Sequence, residues 1–519
     1  MVTKEKRMGL VHFWEGCIKS VSLVVFNLVL SGILASAAYA INIDMPGDAN
    51  LDIKTTLNYG FSMRLVDPDS ALLSNINGDD GNRNFDKGKL TSNRGSISTE
   101  VAYIIKNLTF YTNLYGFYDL VYNADNENDS PSTNNNFVGG RIAENDEFDG
   151  DTRQIHGRSG DLRDLYVSGD FRIADRSLMV RVGKQVISWG ESLATFGSIS
   201  SAMSYADATK INVPGYELRD VFLPTGAGYF QVALVDDLSL SGYYQWEWEK
   251  NILDAAGSFF STSDLIDKGG HYYLGAPNMV AFTRIADEEP SNGGQWGASL
   301  RYRAQNFYDT EFALCYINYH EKFPLLKINP AAGGYYTVYP EDVGLIGASF
   351  GTTIGDTNYG GEIAYRMDLP VQVKAGLPTY EEVDLVQVLL NVYHVFGPMS
   401  FIDNTIVLFE GGFNSVLEAE NLSKDTDACG YLIKTTFQFF RVLPRVDLEV
   451  PVTFKHKVKG KSALTGTWTE REHELAMGLD FTYDLNLKFS LSYTNFLGDA
   501  QDYAKSDRDY VSAYIKYTF

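Results

Sequence analysis

The sequence predicts an all-β protein, a transmembrane up-and-down antiparallel β-barrel of about 18 strands. Three observations predict it. Strand-length segments alternate apolar and polar residues, the connections between them are short and long in turn, and the last segment keeps its alternation up to a terminal aromatic, Phe519. The composition agrees: 519 residues include 47 Gly, 33 Tyr and 31 Phe against 15 Pro and 3 Cys, and 13% aromatic content argues against disorder. Only 45% of residues are hydrophobic, too few for a polytopic helical membrane protein, which needs stretches of ~20 apolar residues. A net charge of −23, from 66 acids and 43 bases, argues against a nucleic-acid partner, which would require clustered Lys and Arg.

Residues 1–40 read as a secretory signal peptide. Lys4, Lys6 and Arg7 form the basic start, Val21 to Ala37 is mostly apolar, and Ala38-Tyr39-Ala40 supplies small residues at the cleavage spacing. Ser22, Asn27 and Ser31 interrupt the run, which argues against a permanent anchor. Cys17 precedes the run and so does not mark a lipoprotein. Cleavage near Ala40 removes four bases (Lys4, Lys6, Arg7, Lys19) and two acids (Glu5, Glu15), so the charge moves from −23 to −25. Residues 41–519 are expected to form a single barrel domain in the outer membrane of a Gram-negative bacterium. There, Cys315 and Cys429 fall on strands that are not neighbours, and no disulfide is expected.

The period-two pattern is clearest at Leu485, Leu487, Phe489, Leu491 and Tyr493, which alternate with Asn486, Lys488, Ser490 and Ser492. It recurs at Leu475 to Phe481 and at Leu238 to Trp246. Tight turns at Lys106-Asn107, Ala174 to Ser177, Val235 to Asp237, Gln305 to Asp309, Gly355 to Asn358, Gly397 to Ser400, Arg441 to Arg445 and Tyr483 to Asn486 separate long stretches. Those stretches include Asn123 to Gly160, Gly190 to Gly226, Lys250 to Gly294 and His320 to Glu341. A soluble β-sandwich lacks this asymmetry; an outer-membrane barrel has short periplasmic turns and long extracellular loops. The pattern places strand starts near Leu51, Gly95, Leu108, Leu162, Leu178, Ala227, Leu238, Gln295, Thr310, Val343, Tyr359, Glu382, Ile402, Ala428, Val446, Glu472, Leu487 and Asp509. The even count puts both ends of the barrel on one side.

In the last strand Val511, Ala513, Ile515, Tyr517 and Phe519 share a face. This resembles the C-terminal sorting strand of outer-membrane proteins, with Tyr517 and Phe519 as the assembly signal read by the barrel-assembly machinery. Outer-membrane lipid and lipopolysaccharide are the expected surroundings.

Candidate functional residues cluster after the fifth strand. Arg181, Lys184, Gln185, Trp189 and Glu191 place charge, an amide and an indole on or just past a spanning strand, where charge is expensive unless it meets water or a partner. The following connection carries Asp207, Lys210, Glu217 and Arg219 and is too long for a passive turn, so it is expected to fold into the lumen. With it inside, these nine residues would line a substrate path, Trp189 offering an apolar surface.

Gly78-Asp79-Asp80-Gly81-Asn82-Arg83-Asn84-Phe85-Asp86-Lys87-Gly88, Val182 to Ser192 with Ser188-Trp189-Gly190-Glu191, and Gln245-Trp246-Glu247-Trp248 followed by Phe260 to Asp264 resemble the landmarks of a bacterial outer-membrane family catalogued as domain of unknown function 1302. The resemblance covers most of residues 41–519. It implies a barrel often encoded near functions that degrade hydrophobic compounds and near a companion envelope protein, and hence uptake. Many relatives have Asn-Pro ahead of the segment matching Asp207 to Pro214; this chain has Ser204-Tyr205-Ala206.

The acidic stretch Asp125 to Asp151 contains Glu127, Asp129, Glu144, Asp146, Glu147 and Asp149 with Arg141 its only base. Its irregular spacing reads as a solvated loop in preference to a Ca²⁺ site. Asn75 to Asp86 lacks the Gly and terminal Glu of an EF loop. His156, His271, His320, His394, His456 and His473 sit in no catalytic or zinc motif, so no enzyme activity, metal or cofactor is expected. The expected function is an outer-membrane channel or transporter passing a small hydrophobic or amphipathic compound by facilitated diffusion. The alternative is a structural or partner-binding barrel with a closed lumen, and an outer-membrane hydrolase ranks below both.

Overall fold

The structure is a computed structural model that describes residues 41–519 apart from 136, 139–140, 143–144, 194–196, 218–219 and 375. The signal-peptide reading of residues 1–40, and Arg219, lie outside the described residues. Eighteen antiparallel strands follow one another around a closed barrel: β1 (Ala49–Arg64), β2 (Leu90–Ile105), β3 (Leu108–Asp119), β4 (Arg158–Ile173), β5 (Arg176–Gln185), β6 (Thr225–Val235), β7 (Leu238–Gln245), β8 (Gln295–Ala304), β9 (Thr310–Tyr319), β10 (Val343–Ile354), β11 (Thr357–Val373), β12 (Thr379–Val395), β13 (Asn404–Leu417), β14 (Asp427–Leu443), β15 (Val446–Lys459), β16 (His473–Tyr483), β17 (Leu487–Leu497) and β18 (Tyr510–Thr518). Every start lies within five residues of the position the alternation indicates. Closure is made by β18 on β1, in register from Thr56↔Thr518 to Arg64↔Tyr510. Thr55 and Phe519 exchange both backbone hydrogen bonds, at 2.6 and 2.9 Å.

The first ten described residues are not the plain lead-in that the sequence suggested. Ile41–Met45 is a strand that folds back on Ala49–Ile53. It flanks the start of β1 below the point where the last strand ends, so that stretch of β1 is paired on both sides. Gly47 and Asp48, at φ of 84° and 58°, make the tight reversal.

The apolar face of the strands points outward. Leu314 is 58% exposed, Leu390 51% and Phe489 47%, although each belongs to a well-paired strand. The inward face is polar: Glu362, Arg366, Gln387, Glu410, Asn414, Ser490 and Lys516 are all buried. A water-soluble sandwich would invert this arrangement, whereas a barrel in lipid requires it. Exposed aromatics gather toward both rims, with Tyr244, Trp246 and Trp296 near the long loops and Tyr302, Phe312, Phe440 and Tyr483 near the tight turns, as in interfacial girdles. Cys315 on β9 and Cys429 on β14 are both free.

Two of the long connections are themselves structured. Tyr272–Ala276 and Met279–Arg284 form a hairpin between β7 and β8, and Leu325–Asn329 and Gly334–Val338 form another between β9 and β10. The hairpins join in parallel at Thr283↔Gly334 to make a four-stranded sheet outside the wall. Beside it, Phe85, Tyr122, Phe148, Phe259, Phe496, Tyr503 and Tyr510 bury one another. Two buried arginines fasten this cap. Arg64 bonds the carbonyls of Asn82 and Phe85 at 3.1 and 2.9 Å and pairs with Asp507 at 2.9 Å, and Arg508 donates to the carbonyls of Gly81, Phe259 and Ser261.

Two outcomes are expected. Deleting Phe519, or replacing Tyr517 and Phe519 by Ser, should sharply deplete the heat-modifiable form in the outer-membrane fraction, because the closing strand loses its last backbone pair and its outer aromatic face. Normal levels would contradict this. An epitope tag at Asn329, exposed at a hairpin end, should be labelled on intact cells, and one at Asn107, in a tight turn, only after permeabilisation.

Candidate functional site

Among the described residues, the stretch from Val186 to Pro224, between β5 and β6, lies inside the barrel. It is anchored to strands all round the wall, for two reasons readable in its residues. Its apolar side chains need cover, and Ile187, Trp189, Ile199, Ala202 and Met203 find it against Ala227, Tyr243, Cys315, Ile317, Val343 and Leu345 on the inner faces of β6 to β10. Gly347 makes room: a Cβ there would stand 2.8 Å from both Cys315 Sγ and Ile199 Cδ1. Its backbone has a ladder of its own only where Tyr205–Ala206 pairs with Phe222–Leu223, so wall side chains satisfy much of the rest.

Glu362 on β11 accepts the N–H groups of Glu191 (3.0 Å), Ser192 (3.4 Å) and Ile199 (2.9 Å). Glu410 on β13 accepts Leu193 N–H at 2.6 Å. Arg366, fully buried, donates to the carbonyls of Gly197 and Ser198 and to Gln387 at 3.0 Å. Asn391 donates to Glu191 O at 2.6 Å. The chain then turns back. Lys322 Nζ donates to Ala202 O at 2.8 Å, and burial holds this lysine down to about 8. Asn58 donates to Pro214 O at 3.1 Å, Arg163 pairs with Asp220 at 3.1 Å, and the hydroxyls of Tyr216 and Tyr115 meet.

The residues singled out from sequence are placed as follows. Arg181 lies between Tyr166 and Tyr229, 5.1 and 5.6 Å from their centroids, and bonds Gln185 and Val186 O. Gln185 donates to Ala227 O at 2.7 Å. Glu191 is part of the strap held by Glu362; burial raises its carboxyl and Arg301 opposes the rise. Asp207 caps a turn through Thr209 and pairs with Lys210 at 3.3 Å. Burial lowers Lys210 to about 8, and its ammonium sits 4.5 Å from the Phe117 centroid. Glu217 pairs with Lys516 on β18 at 3.0 Å.

Two expectations need correction. Trp189 is only 5% exposed and packs edge-on against Tyr243, with centroids 5.3 Å apart, so it wedges the segment to the wall and offers no face to a solute. Lys184 pairs with Leu165, which is 53% exposed on the outer wall, so alternation puts Lys184 outside the lumen.

The open space is elsewhere. A cavity of about 580 Å³ lies between the returning segment (Ala206, Ala208, Ile211), the wall (Tyr431, Leu432, Lys455, Lys457, Phe496) and the loops (Phe260, Phe323, Trp468, Lys505). Its lysines are paired: Lys455 with Glu474 at 2.7 Å, Lys457 with Glu472 at 2.6 Å, and Lys505 with Asp254 at the looser 3.9 Å. Trp468 packs on Leu389 and Ala428 and crosses Gly430, where a Cβ would stand 2.5 Å from the ring. Its Nε1 is buried without a hydrogen-bond partner. Of these residues Phe260 and Ala206 are named from sequence only in the family resemblance, and none is assigned there to a substrate path. Trp468 sits in the connection between β15 and β16, and only the fold brings it opposite Phe260.

A closed barrel, apolar outside and polar inside, with a connection folded through its lumen, defines an outer-membrane-type β-barrel. The chain belongs to the family described as "Protein of unknown function (DUF1302)", whose model matches residues 22–519. No curated protein matches it. Among solved structures it is similar to Acinetobacter baumannii OccAB4, with 12% identity over 90% of this chain and 98% of that one and a TM-score of 0.44. It is also similar to Pseudomonas aeruginosa OccK2 (OpdF) in complex with glucuronate, with 10% identity, 90% and 98% coverage and a TM-score of 0.40. A third is Salmonella typhi OmpF in complex with daunomycin, with 10% identity, 92% and 100% coverage and a TM-score of 0.38.

Replacing Glu362 and Glu410 by Gln should free the strap while leaving the barrel inserted. Hydrogen bonds to charged acceptors contribute about 1.5–3 kcal/mol each, so conductance in planar bilayers is expected to rise roughly twofold and to flicker. Unchanged, quiet conductance would mean that these carboxylates do not set the lumen.

Proposed function

We propose that the protein is an outer-membrane channel that passes a small amphipathic compound by facilitated diffusion. The cavity of about 580 Å³ lined by Phe260, Phe323, Tyr431, Trp468 and Phe496 carries this reading. Its size lies within the ~300–1,000 Å³ of sites for drug-sized ligands, and a mostly apolar lining with a few polar groups is how such sites select. The Lys505 ammonium on the cavity wall, loosely paired with Asp254 at 3.9 Å, supports a solute that brings a hydrogen-bond acceptor. The cavity also borders the lumen segment through Ala206 and Ile211, which supports a binding step next to the narrowed part of the barrel. The companion envelope protein that the family resemblance implies would receive the solute on the far side.

Uptake by cells with the gene deleted and restored, measured across a panel of small aromatic and alicyclic acids and alcohols, tests the reading. Restoration should speed entry of some members. In proteoliposomes Lys505→Met keeps most of the length of the side chain and removes the donor. Loss of one such bond, about 1 kcal/mol, should slow those members about fivefold relative to small ions. Absence of both conductance and uptake would favour a closed barrel.

A further inference from the structure

The Asp79 and Asp80 carboxylates, in the connection between β1 and β2, meet Asp264 from the connection between β7 and β8. One oxygen from each lies within 4.8 Å of the other two, and the residues are 0%, 4% and 1% exposed. Each carboxylate has one oxygen engaged. Asp79 Oδ2 takes Arg83 Nε and Thr133 Oγ1, the latter at 2.9 Å, Asp80 Oδ2 takes Asn135 N–H at 2.9 Å, and Asp264 Oδ2 takes Asp80 N–H at 3.4 Å. In all three the other oxygen, Oδ1, is buried with no hydrogen-bond partner. Each of these neighbouring carboxylates thus keeps a buried oxygen unpaired, which is costly unless a cation completes it. The buried Ser258 hydroxyl is also without a partner, and its residue's carbonyl abuts Gly81. A cavity of about 10 Å³, room for about one water, adjoins Asp80 and is lined also by Asn84, Asn134, Asn135 and Asp149.

We propose that Asp79, Asp80 and Asp264 bind one Ca²⁺ ion that ties the β1–β2 connection to the β7–β8 connection at the loop end of the barrel. The donors are all hard oxygens, and Ca²⁺ accepts carboxylates in flexible, irregular geometry, whereas Mg²⁺ demands a near-ideal octahedron and keeps several waters. Arg83 already balances part of the charge on Asp79. The ion would hold together the elements that carry Phe85 and Phe259, whose rings meet at 5.4 Å in the aromatic cap. The stretch Asn75 to Asp86 lacks an EF pattern because its third carboxylate comes from Asp264, far along the chain. The inference is independent of the channel reading, since it requires only the folded loops.

The test uses the full-length barrel in detergent, stripped with EDTA, dialysed free of it and titrated with CaCl₂ by calorimetry, with melting followed in parallel. One Ca²⁺ per barrel is expected, with a Kd within the roughly 10⁻⁴–10⁻³ M of extracellular modules or tighter. The isosteric double variant Asp80→Asn and Asp264→Asn should weaken it roughly tenfold or more. Stability should cross over. In EDTA the double variant should melt higher than the wild type, because buried like charges are gone, and in CaCl₂ only the wild type should gain. A protein that binds no Ca²⁺ at millimolar concentration overturns the proposal. So does a double variant that binds as the wild type does, or loss of binding in Asp149→Asn instead, which would assign the ion to the separate group of Asp149, Asp151 and His271.

Discussion

The pairing of β18 with β1 is the contact on which the rest of the protein depends. Within hydrocarbon no backbone N–H or C=O can be left to water, so a sheet of eighteen strands survives there only without edges. Nine register pairs from Thr56↔Thr518 to Arg64↔Tyr510 close the circuit, and the Thr55–Phe519 exchange completes it. Once closed, the sheet has an outside fixed by lipid and an inside fixed by nothing but its own contents. The alternation of each strand follows: Phe489 and Leu491 go out, and Ser490 goes in to Asp480 at 2.6 Å.

A lumen of this width would be an open aqueous channel unless filled, and the Val186–Pro224 connection does the filling. Its placement needs two unlike kinds of force. Burial of Ile187, Ile199 and Met203 against β6 to β10 gives non-directional attraction. Glu362, Arg366 and Glu410 then fix its path by accepting and donating at particular peptide groups. These charges stand on the wall, where neighbouring strands hold them, and the neutral backbone of the strap supplies their partners. The strap is therefore positioned by the barrel, which explains how a connection with so short a ladder of its own keeps one course.

How much of this could be read from the sequence depends on the range of the interaction that decides each feature. Strand order, the even count and the turn positions were legible, because membrane exposure imposes period two locally and Leu487 to Tyr493 shows it without reference to any other segment. The inward course of the connection was legible from its length and from charges such as Asp207 and Lys210. Individual roles were not. Trp189 looks like a solute surface until Tyr243 closes over it, and Lys184 looks inward until alternation from the lumen-facing Arg181 and Gln185 is counted. Trp468, the Glu362 carboxylate and the meeting of Asp79 and Asp80 with Asp264 arise from contacts between segments distant in sequence, and nothing in their local spacing announces them.

The charge distribution bears on what a solute would meet inside. The chain as a whole is strongly acidic, yet the cavity is lined by Lys455, Lys457 and Lys505 against Asp254 and Glu474. Exposed acids act over about 8 Å at physiological ionic strength, so the net charge of the surface does not dictate the potential there. Each cavity lysine has an acid partner, and the distances differ: 2.7 and 2.6 Å for the first two and 3.9 Å for Lys505 with Asp254. A tight pair presents a dipole, and only the loose one leaves its ammonium free to meet a second anion. On the proposed channel reading, recognition in such a space would rest mainly on the aromatic side chains of Phe260, Phe323 and Phe496, with Lys505 as its point of polarity. On that same proposed reading, a complementary solute would be apolar over most of its body and carry one acceptor or anionic group at an end.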